Sequence, residues 1–250
     1  MVRKILPLVL FLFTVFLMYS CSKSSSTPLD QLDDLSGEYI SYGDNYQAST
    51  VVVKMNDDVY KMVQEGVESD IEGILLKQDD MLYGAMQDKQ GVAVAIYQIK
   101  SDQICGMWYA GEGGLLPEVI SKQTVEEVKG FEIKPLTGVE LHTLYEVRGE
   151  IGGNEYNSIL YIEPYGENTY DLLWEDAEGI QIGIGIVHRN SLTVAFFSED
   201  YKFWGVTHYK IDDQGNLQGE WSSYGNWMVG EEFAEGVDSL QEMDEQVEEN

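Results

Sequence analysis

The chain is poor in the residues that most metal and nucleophile sites need. It has two cysteines, Cys21 and Cys105, and three histidines, His142, His188 and His208. No CxxC pair occurs and the histidines show no metal-ligand spacing, so no metal or cofactor is expected. Cys105 lacks a recognisable histidine partner, which argues against a thiol nucleophile. GxSxG, Walker and HExxH patterns are absent, and no catalytic residue is assigned. Positive charge is scarce too: 15 Lys and Arg stand against 44 Asp and Glu, for a net charge of −29. That excludes nucleic acid, whose binding rests on neutralising phosphates, and docking on anionic lipid headgroups.

What is present begins with an apolar N-terminus. Arg3 and Lys4 precede an almost unbroken apolar run from Ile5 to Tyr19. Such a run has the length of a signal-peptide core and falls short of the roughly 20 residues of a membrane-spanning helix. Ser20 is the small residue a signal peptidase requires, and the chain turns polar directly after Cys21, at Ser22, Lys23 and Ser24. Met18-Tyr19-Ser20-Cys21 resembles the lipobox of bacterial lipoprotein precursors. The resemblance implies removal of residues 1–20, diacylation of Cys21 and attachment to a membrane through that lipid. Ser22 is not the aspartate that retains such proteins at the inner membrane, which implies the outer membrane or the cell surface. Burial of acyl chain contributes about 0.8 kcal/mol per CH₂, and stable anchoring takes two chains or a second signal. With Cys21 lipidated, Cys105 has no disulfide partner, so stability must come from the core.

The body reads as all-β. Sixteen Tyr, eight Phe and five Trp favour strands. Period-two alternation is cleanest where Ile180, Ile182, Ile184 and Ile186 alternate with Gln181, Gly183, Gly185 and Val187. Breaks such as Gln78-Asp79-Asp80 and Asp212-Asp213-Gln214-Gly215-Asn216 read as hairpin turns, the latter lacking the spacing of a calcium loop. The organisation expected is a flexible, lipid-anchored tether over 21–36, a first β repeat over 37–110 and a connector over 111–143. A second β repeat over 144–233 and an acidic disordered tail over 234–250 complete it.

The two β regions match in order. Gly37 pairs with Gly149, Tyr46 with Tyr156, Leu82 with Leu192, Tyr97 with Tyr209, Gly106 with Gly219, Trp108 with Trp221 and Glu118 with Glu231. The expected fold is two tandem antiparallel β-barrel or sandwich-like repeats, with one large β-sandwich as the alternative. Leu217, Gly219 and Trp221 share the inner face. By register, Cys105, Met107 and Tyr109 face outward, and that apolar patch requires cover from the second repeat or the connector.

Three residues are ligand-binding candidates. Gly183 and Gly185 leave a groove on one strand face, or else serve barrel curvature. Trp227 follows Tyr224-Gly225-Asn226 in a loop, where its ring stacks on a sugar or packs at the core's edge. Glu118 and Glu231 read either as paired carboxylates for acid–base work or as a repeated turn residue. The function expected is non-enzymatic binding of a small apolar ligand or a glycan at the cell envelope. Contact with an envelope protein is the alternative, and a hydrolase with an unrecognised site is a third.

Overall fold

In the computed structural model the described residues are 27–66, 70–111, 114–177 and 179–237. Cys21 and the signal segment 1–20 lie outside them, as does the tail from 238 to 250. The chain forms two closed eight-stranded antiparallel barrels in tandem, not one shared sandwich. Barrel 1 comprises β1 (Gly37–Gly43), β2 (Gln47–Lys54), β3 (Val59–Glu65), β4 (Ile71–Gln78), β5 (Met81–Gln87), β6 (Val92–Ile99), β7 (Gln103–Tyr109) and β8 (Leu116–Ser121). Barrel 2 comprises β9 (Leu144–Ile151), β10 (Asn154–Gly166), β11 (Thr169–Glu175), β12 (Ile180–His188), β13 (Ser191–Ser198), β14 (Trp204–Ile211), β15 (Leu217–Ser223) and β16 (Gly230–Gly236). Each strand pairs with the next, and the last closes on the first.

The closing strands correct the expected boundaries. β8 lies within the segment expected as a connector, and β16 runs past residue 233 to Gly236. Both strands hide their period. Leu116-Pro117-Glu118 carries a proline, which normally argues against a strand, and a charged residue where an apolar one is expected. In β16 the inward positions are Glu232 and Ala234, both buried, so no large apolar side chain marks that face.

The segment before each barrel also departs from expectation. Residues 29–36 are not a free tether. Leu29 and Leu35 are buried in the core of barrel 1, and a 3₁₀ turn spans Leu29–Gln31. The Leu29 amide donates to the Ser101 carbonyl at 2.9 Å, and the Tyr39 hydroxyl donates to the Leu35 carbonyl at 2.6 Å. Barrel 2 has its counterpart in the former connector, where Leu136, Val139 and Leu141 pack against its core. There the His142 amide donates to the Tyr145 hydroxyl at 2.8 Å, and that hydroxyl donates to the Gly215 carbonyl at 3.0 Å. The repeating unit is therefore a leucine-bearing plug followed by a barrel.

The barrels pack through equivalent strands. β4, β5 and β6 face β12, β13 and β14, as in a symmetric dimer joined into one chain. Ile74, Val94 and Ile96 of barrel 1 share one buried cluster with Ile186, Ala195 and Val206 of barrel 2. The isoleucine face of β12 thus points at the neighbouring barrel, while Gly183, Gly185 and Val187 point inward. Tyr109 joins this seam cluster, and Met107 lies beneath Gly130, where an added Cβ would sit 2.2 Å from its sulfur. Cys105 is fully buried.

At the seam the His208 ring stacks on Tyr83 of barrel 1, with centroids 3.4 Å apart and planes 10° apart. Its Nδ1 lies 3.2 Å from the Thr193 hydroxyl. Burial, with a smaller contribution from Lys210, pushes the imidazole down to about 3 from 6.5. Between those values the unfolded chain takes up a proton that the folded chain refuses. This contribution to stability is thus present above pH 6.5 and lost as pH falls toward 3, at up to about 1.4 kcal/mol per pH unit. A His208→Phe variant should show a correspondingly shallower loss of stability between pH 6 and 4 in urea denaturation. An unchanged pH slope would mean that His208 is not held neutral at the seam.

Candidate functional site

Inside each barrel one carboxylate is buried on the closing strand. Glu118 of β8 is 1% exposed and Glu232 of β16 is 8% exposed. In barrel 1 the cross-strand row is Tyr97, Gly106, Glu118, Gly43, Tyr46, read across β6, β7, β8, β1 and the turn into β2. In barrel 2 it is Tyr209, Gly219, Glu232, Gly149, Tyr156. The glycines are a packing requirement. A Cβ at Gly43 would lie 2.0 Å from the Tyr46 ring, and one at Gly106 2.0 Å from the Tyr97 ring. Gly149 and Gly219 stand in the same relation to Tyr156 and Tyr209, at 2.1 and 2.5 Å. Each tyrosine lies flat over a bare strand and reaches the carboxylate beyond it.

Three donors meet Glu118 and two meet Glu232. Tyr46 and Gln64 donate to Glu118 Oε1 at 2.7 and 2.8 Å, and Tyr97 donates to Oε2 at 2.5 Å. Tyr156 donates to Glu232 Oε2 at 2.6 Å, and Tyr209 donates to Oε1. Burial first, and the adjacent carboxylate second, hold all four tyrosine hydroxyls well above their ordinary range. They stay protonated and donate. Burial raises the Glu232 carboxyl, and Tyr156, Tyr209 and Trp174 oppose that rise. The row ties the last strand to the β1–β2 turn, β3 and β6 in one barrel and to β10 and β14 in the other. It recurs in both barrels with its donors saturated, which fits a fastening inside the fold.

This row corrects the expected pairing of Glu118 with Glu231. The equivalent of Glu118 is Glu232, and the equivalent of Gly149 is Gly43 instead of Gly37. Neither glutamate is a turn residue. The remaining candidates lie elsewhere. The expected groove at Gly183 and Gly185 is filled: an added Cβ at Gly183 would lie 2.7 Å from both Trp174 and Val194, and one at Gly185 2.9 Å from Leu192. Large neighbouring side chains occupy the space that these glycines leave. Trp227 is half-buried at the seam. Its ring meets Tyr224 edge-on at 4.9 Å, and its carbonyl accepts a hydrogen bond from Asn56 of barrel 1. It is an inter-barrel contact and not an exposed stacking platform.

The open surfaces worth weighing lie along and beside the seam. A groove of about 700 Å³ is lined by Tyr109, Leu115, Phe131, Ile133 and Tyr165, with Glu132, Glu167 and Asn168 also on its walls. Tyr165 is 58% exposed, and its ring centroid stands 6.3 Å from that of Tyr109. A second surface carries Glu220, Glu231, Glu150 and Glu155 directly opposite one another on successive strands β15, β16, β9 and β10. Like charges so placed are destabilising. Gln78 of barrel 1 donates to Glu220 Oε2 at 2.9 Å. Among the described residues, no group of His, Cys, Asp and Glu converges as a metal site. The groove escaped sequence reasoning because its walls come from four separate segments. Only the prediction that Tyr109 lies outward hinted at it.

No protein-family model and no curated protein matches the chain. Its fold is similar to the crystal structure of a protein of unknown function from the DUF3598 family of Nostoc punctiforme PCC 73102. The identity is 10%, the match covers 84% of this chain and 97% of that one, and the TM-score is 0.31.

Removing the Glu232 carboxylate strands the buried Tyr209 hydroxyl and the part-buried Tyr156 hydroxyl. Glu232→Ala should therefore destabilise the chain by about 3 kcal/mol, since each buried donor left unpaired costs about 1–3 kcal/mol. Guanidinium unfolding of the variant checks this, and a loss below 1 kcal/mol would mean the row is not a fastening.

Proposed function

We propose that the chain is an exported, lipid-anchored binding protein of the bacterial cell envelope, non-enzymatic, whose inter-barrel groove takes a neutral glycan. The observation that carries this reading is the exposed Tyr165 ring set beside Tyr109 and Phe131 in one groove. Aromatic faces accept the C–H surface of a sugar ring, and the Glu132, Glu167 and Asn168 side chains offer acceptors and a donor for hydroxyls. The groove volume falls in the range of small-ligand sites, and a junction between domains is a common place for one. A fatty acyl chain fits less well, because charged groups line the same walls. The net charge of −29 disfavours anionic ligands.

A second reading, contact with a cationic envelope protein, is favoured by the four-glutamate row on barrel 2. Opposed like charges weaken the sheet unless a partner neutralises them. The lipid-anchor part of the proposal rests on the Met18–Cys21 motif alone.

Two measurements test the proposal. Tyr165→Ala should weaken binding to a neutral oligosaccharide panel at least tenfold, about 1.4 kcal/mol, without moving the thermal midpoint. No saccharide binding by the parent chain would overturn the glycan reading. Mass spectrometry of the native N-terminus should find Cys21 acylated and first in the chain, and Cys21→Ser should release the protein from membranes. An unmodified Cys21 thiol would contradict the anchor.

A further inference from the structure

Beyond Phe131 along the same seam lies a second cleft, of about 450 Å³. Two hairpin turns bound it, and they occupy equivalent places in the two barrels. One joins β4 to β5 through Asp79-Asp80, and the other joins β12 to β13 through Arg189-Asn190. Both turns hold their first residue in the left-handed region, with φ +53° at Asp79 and +59° at Arg189. The two turns share a backbone conformation and carry side chains of opposite charge.

The positive side is assembled from three segments. Lys134 of the connector is fixed beside the second turn: its amide donates to His188 Nδ1 at 3.2 Å, and its carbonyl accepts from the Arg189 amide at 2.7 Å. With Nδ1 accepting, the neutral His188 ring carries its proton on Nε2 as a further donor. Lys210 of β14 adds a third cation. Among the described residues none of Lys134, Arg189 and Lys210 forms an ion pair within 4.0 Å, although Asp79, Asp80 and Glu132 line the same cleft. Opposite charges face one another across a gap without meeting.

We propose that this cleft binds a short peptide with free termini. Its carboxylate is taken by Arg189 with Lys134 and Lys210, and its ammonium by Asp79 and Asp80. Charge selects this class. A simple anion would approach against a body of net −29, and a simple cation would leave the three basic side chains unused. A zwitterion engages both walls at no net charge. Met81, Tyr83 and Phe131 supply apolar surface for a side chain. This inference is independent of the glycan reading, because the groove of Tyr165 and this cleft share only Phe131 and Glu132.

Isothermal titration of the full mature chain with the dipeptide Leu-Leu tests the proposal, with N-acetyl-Leu-Leu and Leu-Leu amide as blocked companions. Leu-Leu should bind saturably, and each blocked form should bind at least about tenfold more weakly. Arg189→Gln and the double variant Asp79→Asn/Asp80→Asn should each cost about tenfold for Leu-Leu while the thermal midpoint stays in place. No saturable heat at millimolar Leu-Leu would overturn the proposal. So would blocked forms that bind as well as the parent, or variants that bind it unchanged.

Discussion

A carboxylate sealed inside a barrel sets the terms for the rest of this structure. An ionised glutamate buried without partners would cost far more than a small domain's stability, so the closed barrel must supply its donors. Tyr46, Gln64 and Tyr97 meet Glu118, and Tyr156 and Tyr209 meet Glu232. Those donors come from strands far apart in sequence. Satisfying the charge therefore fixes which strand is last, its register against the first, and where glycine must stand.

Closure in turn shapes the outside. A closed sheet has no free edge, so the barrels associate side by side through faces of Ile, Val and Ala, not by strand pairing. Because the same three strands of each barrel meet, the seam brings equivalent turns together, and differences between the repeats become concentrated along it. Inside barrel 2, Trp174, Val194 and Leu192 fill the space beside Gly183 and Gly185. The groove of Tyr165 and the cleft between Asp79 and Arg189 both belong to the seam, which a single barrel would lack.

Much of the fold was legible in sequence. The alternation around Ile180–Val187 and the ordered matches Tyr46 with Tyr156 and Tyr97 with Tyr209 are enough to call for two β repeats. The closing strands were hidden for a physical reason: Glu118 and Glu232 put charge where a strand's inner face is normally apolar. The Glu118 match missed by one residue because two glutamates, Glu231 and Glu232, stand side by side and only backbone register tells inner from outer. Leu29 and Leu35 looked like part of a tether because two leucines without a period give no sign that a barrel mouth waits for them. The glycines at 183 and 185 suggested an empty groove, since sequence cannot show that Trp174, Val194 and Leu192 fill it. The seam sites depend on contacts between segments distant in sequence, and nothing local announces them.

The most direct test of this account is backbone hydrogen exchange in a Glu118→Ala chain. If the buried carboxylate fastens its own barrel, amides in the β1–β8 pairing should lose protection relative to the native chain, while those in the β9–β16 pairing keep theirs. Equal loss in both pairings, or none in either, would contradict the claim that each barrel is closed by the charge it encloses.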